Sequence, residues 1–269
     1  MKKYIYRLTG IESLRKSINP FYYLSNFAFN FFYSINSKKI IAGPFKGLVL
    51  ENNRRGSEFK PKFIGTYEQE IWNKLDTFLN NNSPKLIFDI GADDGYYSIG
   101  FAKYFNNVKV ISIELNSESC NHLQKNINNN DDENGIDINI LNKKINSFED
   151  IKDILNNSQI KEILIKCDIE GGEYDLFNME FISQLLPFNV FIIIETHLSI
   201  DHENLLISNF NSFDLNVEII DKELFRPFKK ITRLSPFSKI LLKSFWQSWT
   251  NESRPKFNRW ICVTKKTLS

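Results

Sequence analysis

The stretch that most constrains the fold is Leu86–Ala102, LIFDIGADDGYYSIGFA. Leu86, Ile87, Phe88 and Ile90 form an apolar run of strand length. Gly91 and Gly95 bracket a turn, and Tyr96, Ile99, Phe101 and Ala102 begin a helical apolar pattern. A strand that feeds a helix through glycines is where α/β proteins hold nucleotide-like ligands, because backbone can approach a ligand closely only where side chains are absent.

The composition of the turn narrows the ligand. Its spacing is D-x-G-x-x-x-G over Asp89, Gly91 and Gly95, neither the G-x-G-x-x-G of dinucleotide sites nor a P-loop with its Lys. Asp93 and Asp94 lie inside it. Two carboxylates there oppose a pyrophosphate on the helix N-terminus and suit a ligand with a cationic centre and no phosphate, such as S-adenosylmethionine. The structural alternative is an ordinary turn in which an Asp caps the helix. The next strand, Val108–Ile113, ends on Glu114, 25 residues after Asp89. That is close to the offset of about 20 residues at which an acidic side chain meets ribose hydroxyls. Ser117 is a candidate cap for the helix Ser117–Asn129 that follows. The cofactor-binding candidates are Asp89, Gly91, Ala92, Gly95, Tyr96, Glu114 and Leu115.

Strands then alternate with helices up to Ile220, which predicts a mostly parallel α/β sheet with helices on both faces. Glu162–Cys167 leads into Asp168, Glu170 and Glu173, with Gly171 and Gly172 allowing a tight turn. Phe188–Ile194 ends in Glu195-Thr196-His197. Carboxyl ends of parallel strands face one crevice, so Asp89, Glu114, Asp168 and Glu195 converge on one rim, where like charges need a cation, a proton or good hydrogen bonds. The sulfonium ligand, a Lys or a divalent metal supplies that. Further strands are expected at Ile136–Leu141, Leu215–Ile220 and Arg259–Lys265, for seven in all, and helices at Tyr67–Leu79, Phe148–Leu155 and Leu205–Phe213.

The segments DIGADDGYYSIGFA, IKCDIEGGEYDLF and FIIIETH, with GTYEQEI upstream, together resemble the FkbM family of S-adenosylmethionine-dependent methyltransferases over about Gly65 to Ile220. The resemblance implies a Rossmann-like seven-stranded methyltransferase sheet and O-methylation, in glycan or natural-product pathways. It adds Glu68 of GTYEQEI and Asp168 to the cofactor-binding set. In-line methyl transfer to a hydroxyl needs a positioned acceptor and a base, for which Asp168, Glu195 and His197 are the candidates. His197 is attractive because histidine titrates near neutrality. Asp168 and Glu195 also resemble the metal carboxylates of catechol-type O-methyltransferases, so a Mg2+-like ion is an alternative without a clear third ligand. Glu170, Arg226 and Arg254 are candidates for acceptor contact.

Net charge is +2 overall but divides into zones: residues 1–62 hold 12 Lys/Arg and 3 Asp/Glu, residues 63–221 hold 10 and 27, and residues 222–266 hold 12 and 2. The basic flanks either neutralise the acidic middle or meet an anionic partner, such as a phosphorylated or lipid-linked acceptor. Residues 1–62 read as a basic, aromatic extension with a helical segment and a hairpin at Ile40–Leu50, ahead of a methyltransferase domain over 63–269 with an insertion at 221–258. Phe21–Tyr33 carries eight aromatics but is too short and interrupted to span a bilayer. It is read as a helical cover on the sheet or an oligomer surface, with peripheral membrane contact through residues 1–40 as the alternative. Three separated cysteines and three histidines give no disulfide framework and no zinc motif, consistent with a reducing cytoplasmic setting. Competing readings are an RNA methyltransferase, which the sequence does not favour because no RNA-binding module is present, and a non-catalytic cofactor-fold scaffold.

Overall fold

A computed structural model describes residues 20–51, 59–81, 83–105, 107–131, 135–156, 160–197, 199–221, 249 and 259–265. The described part begins with helix α1 (Pro20–Ile35), α2 (Phe59–Ile64) and α3 (Gln69–Asn81). There follow β1 (Leu86–Ile90), α4 (Tyr96–Tyr104), β2 (Lys109–Ile113), α5 (Ser117–Asn130), β3 (Asp137–Leu141), α6 (Glu149–Asn156) and β4 (Glu162–Cys167). The chain continues through α7 (Glu173–Leu176), α8 (Met179–Leu185), β5 (Asn189–Thr196), α9 (Ile200–Asn211), β6 (Leu215–Ile220) and β7 (Arg259–Lys265).

The strands form one seven-stranded sheet in the order β3-β2-β1-β4-β5-β7-β6. β1 to β5 pair in parallel, and β7 inserts antiparallel between β5 and β6. The chain order reverses beside β1, which pairs with β2 on one side and β4 on the other, and a doubly wound sheet opens its ligand crevice at such a point.

Alternation along the central strands divides the core. Leu86, Phe88 and Ile90 of β1 pack on one face with Ile163, Ile165 and the apolar sides of α6 to α9. Ile87 of β1 and Leu164 of β4 face the other way, into a cluster that also holds Phe29, Ile40, Phe45, Phe63 and Ile71. The N-terminal segment is therefore one cover of the sheet. α1 buries Phe29, while Phe27, Phe31 and Ile35 lie exposed on its opposite side. Lys39 and Val49 form a single antiparallel bridge, with Gly47 N donating to Ile40 O across the expected hairpin. Among the described residues no helix is long and apolar enough to cross a membrane.

Three local expectations shift. Asn116, one residue earlier than Ser117, caps α5, its side chain accepting from Glu118 N and Ser119 N. Helix α9 starts at Ile200 behind a Ser199 cap, five residues before the apolar run begins at Leu205, because its first turn is polar. The sheet holds β5 through Thr196, since Glu195 and Thr196 pair with Trp260 and Arg259 of β7. Of the insertion at 221–258, only Asp221 and Trp249 are described. Trp249 is buried against Phe29 and Phe32, and its indole N–H donates to Ser25 Oγ.

Candidate active site

The turn after β1 is held by backbone. Gly91 N and Ala92 N both donate to Ile113 O, and Asp168 N donates to Ile90 O, tying the ends of β1, β2 and β4 together. Gly91 has φ +81°, and a Cβ there would lie 1.8 Å from Asp168 O. Only glycine satisfies both the left-handed backbone and that approach. At Gly95, φ is +83° and a Cβ would meet Leu123 Cδ1 at 2.1 Å.

The two carboxylates of the turn have different fates, which corrects the expectation that both confer acidity. Asp94 is buried: Lys62 Nζ lies 2.9 Å from each of its oxygens, and Tyr96 N donates to Oδ1. It accepts from the first N–H of α4, just ahead of Gly95 at the N-cap, and is neutralised by a lysine from the N-terminal segment. Burial works to lower the Lys62 pKa, and the Asp94 and Asp93 charges override it, holding the lysine above its ordinary value. Asp93 alone stays on the ligand side, with φ +44° and Oδ1 accepting from Ser119 Oγ at 3.2 Å. Glu114 is positioned by backbone as well, its Oε2 accepting from Asp93 N at 3.0 Å and its Oε1 from Asn116 N at 2.7 Å. A carboxylate has about four acceptor positions, so both oxygens retain capacity for ribose hydroxyls.

These elements line a cleft of about 660 Å³. Of the expected residues, Gly91, Glu114, Leu115, Asp168 and Glu170 line it. Asp89 sits beneath the turn, fully buried, with Oδ2 accepting from Ser98 Oγ. Burial raises its pKa to about 6, against the lowering influence of Lys166 and Ser98. Ala92, Gly95 and Tyr96 are buried in the turn and the start of α4. Glu68, also fully buried, has φ +49° and accepts from the Tyr97 hydroxyl. Arg226 and Arg254 lie outside the described residues.

The far rim is organised by Glu173. Its Oε1 accepts from Ile169 N, Gly171 N and His197 Nδ1, the last at 2.8 Å, so one buried carboxylate fixes both the loop after β4 and the imidazole. His197 Nε2 then faces Asp168 Oδ1 and Glu170 Oε2 at 3.6 Å each and Glu195 Oε2 at 4.0 Å. Burial works to lower the His197 pKa. The hydrogen bond and charge of Glu173, with Asp168 and Glu195, outweigh it and raise the value to about 9. At neutral pH the ring is an imidazolium, so the near-neutral titration expected of it moves upward.

Sequence reasoning passed over two lysines that complete the site. Lys62 reaches the cofactor turn from α2. Lys166, in the apolar run EILIKC, places Nζ 3.4 Å from Asp168 Oδ2 and 3.9 Å from Asp89 Oδ1. The signal for Lys166 was a lysine inside the apolar run that follows Glu162, a position rarely tolerated without a partner. Lys62 left no such signal, because its partner lies 32 residues away. Among the described residues, two donor sets have ligand atoms within 4.8 Å of one another: Asp168, Glu170 and His197, and Glu68, Asp168 and Glu195.

A family profile described as the TRM5/TYW2 methyltransferase domain matches residues 74–164. It runs from α3 through the glycine turn and Glu114 and stops inside β4. With that match on a sheet of this order, the chain is an S-adenosylmethionine-dependent methyltransferase. The FkbM expectation is corrected by the same finding. The polysaccharide-pathway expectation, which rested on that resemblance, falls with it. The segments that prompted it, IKCDIEGGEYDLF and FIIIETH, lie beyond the matched stretch, and the glycine turn inside it is shared by many methyltransferases.

No curated protein matches the chain. Among solved structures, a precorrin-6y C5,15-methyltransferase from Geobacter metallireducens is 14% identical, with 75% of this chain and 90% of that one covered at a TM-score of 0.47. An O-methyltransferase from Bacillus cereus is 12% identical, covering 72% and 79% at 0.45. A ribosomal protein L11 methylase from Lactobacillus delbrueckii is 13% identical, covering 68% and 71% at 0.42. At these identities and TM-scores nothing about an acceptor passes from them to this chain.

Proposed function

We propose that the protein transfers the methyl group of S-adenosylmethionine to an oxygen of a small hydroxyl-bearing acceptor, with Asp168 receiving the acceptor's proton. The position of Asp168 carries this reading: it lines the cleft and also belongs to the charge cluster at the far rim. The cleft fits the cofactor by its donor set. Glu114 would hold the ribose hydroxyls, Gly91 lets the turn close against Asp168 O, and Asp93 lines the cleft. When bound there, the cofactor supplies an electrophilic methyl carbon that needs no acid activation.

The chain's own residues supply orientation and proton handling. Lys166 and His197 lie on opposite oxygens of Asp168 and hold its carboxylate in place. His197 keeps its proton at neutral pH through Glu173, so the resting base is the carboxylate. Asp168, Glu170 and Glu195 make the described rim acidic, which supports an uncharged hydroxyl acceptor over an anionic one. Oxygen donors around Asp168 would also suit a hard divalent ion, held with Glu68 and Glu195, which would ease deprotonation of the acceptor; the set with Glu170 and His197 would hold one only with the imidazole deprotonated.

Methyl-labelled S-adenosylmethionine offered with small alcohols and phenols, sugars, lipids and RNA, with and without chelator, tests the proposal. Label is expected on a small hydroxyl compound. Transfer to RNA alone, or to none of these, overturns the acceptor assignment. Loss of activity with chelator moves the chemistry to the metal-assisted form.

A further inference from the structure

Lys166 is among the most constrained side chains of the rim. It is 4% exposed, and its strand neighbours Ile163, Leu164 and Ile165 are fully buried. Polar and charged groups converge on it from several elements. β1 contributes Asp89 at 3.9 Å, and the end of β4 contributes Asp168 at 3.4 Å. α4 contributes the Tyr97 ring, whose centroid is 5.1 Å from Nζ. Glu68, from the segment before α3, and Glu195, from β5, add their charges. Asp89 Oδ1 accepts no hydrogen bond among the described residues, so Lys166 is the cation that faces it.

We propose that Lys166 is a positioning residue that couples the cofactor strand to the acceptor rim, its ammonium holding Asp89 beneath the glycine turn and Asp168 at the cleft as one ionised unit. The inference rests on the site reading given above. Two carboxylates on neighbouring strands in a low dielectric do not both stay charged without a cation between them, and one takes up a proton. Asp89 is the one poised to do so: burial already holds it near 6, and Lys166 is the largest influence pulling it down. Without the ammonium, Asp168 also loses the contact on Oδ2 that orients it towards the cleft.

The test compares wild type, K166M and K166R by carbon NMR titration of the Asp89 carboxyl, alongside the pH dependence of methyl transfer. In wild type the carboxyl is expected to titrate near 6. In K166M its midpoint is expected to climb by about one pH unit or more, with K166R returning it toward the wild-type value. The acid limb of kcat/KM should move in the same direction. A merely structural lysine would lower the melting temperature and leave both midpoints in place. An unchanged Asp89 midpoint in K166M, or no recovery in K166R, overturns the proposal. Should K166M not fold, the D89N/K166M double variant is expected to fold, because the orphaned charge is gone; its failure also overturns the proposal. The NMR titration needs no turnover, so a wild type that transfers no methyl group refutes the site reading while the Asp89 midpoint still decides the role of Lys166.

Discussion

The two ends of the crevice handle negative charge in opposite ways. At the cofactor end, Glu114 and Asp94 are met by main-chain amides: Asp93 N, Asn116 N and Tyr96 N. At the far rim, the proposed acceptor end, Asp168, Glu195 and Glu170 face side-chain cations, Lys166 and His197, spaced at 3.4–4.0 Å. Amides carry no titratable proton in the working range, so the first end is fixed by geometry. Cations titrate, so the second end is fixed by charge and responds to pH. Each end borrows once from the other among the described residues: Lys62 meets Asp94 at the first, and Glu173 accepts from Ile169 N and Gly171 N at the second.

The largest expected effects break the cofactor end. Gly91→Ala forces a side chain onto Asp168 O and into a left-handed backbone. A loss of about 3 kcal/mol or more is expected in denaturant unfolding, together with loss of cofactor binding in calorimetry. Lys62→Met strands the buried Asp94 carboxylate, for a cost of about 3–5 kcal/mol. Adding Asp94→Asn should recover part of that loss, which a double-mutant cycle measures.

The acceptor end is sharpened by pH. His197 has its folded pKa raised to about 9 from 6.5. Its contribution to stability is therefore complete below pH 6.5 and is lost as pH rises through 9. Asp89 is also raised, to about 6 from 3.8, so its contribution is complete below 3.8 and is lost on passing 6. Thermal unfolding of wild type is expected to show both windows. Glu173→Gln should draw the upper window down toward pH 6.5 and leave the lower one in place, and an unmoved upper window would break the assignment of Glu173 as the group that holds the proton on His197. The smallest effect belongs to Asn116→Ala, which removes the cap of α5 for about 1 kcal/mol in denaturant unfolding without altering the pH windows.

The same contrast explains what was legible in the sequence. The sheet was readable because each strand is a short apolar run between turn residues, and Glu114 because it ends the strand after the glycine turn. Amide-held geometry is local, and local sequence encodes it. Side-chain charge networks are assembled across distance: Lys62 meets Asp94 over 32 residues, and His197 meets Glu173 over 24. Spacing alone could bring Asp168, Glu195 and His197 to one rim, but it could not tell that His197 is protonated or that Asp94 faces a lysine. The reading of Phe21–Tyr33 as a helical cover agrees with the structure, where Phe29 of α1 shares a core with Ile87 of β1, although spacing did not single out Phe29 as the buried ring.

The central claim is that the amide-held end binds S-adenosylmethionine through Glu114. Isothermal titration calorimetry of the cofactor against wild type and Glu114→Ala tests it most directly. One cofactor per chain is expected for wild type, with affinity reduced by about 10- to 100-fold in the variant, as loss of hydrogen bonds to a charged group implies. Equal affinity in the two proteins, or no binding to wild type, would contradict the account.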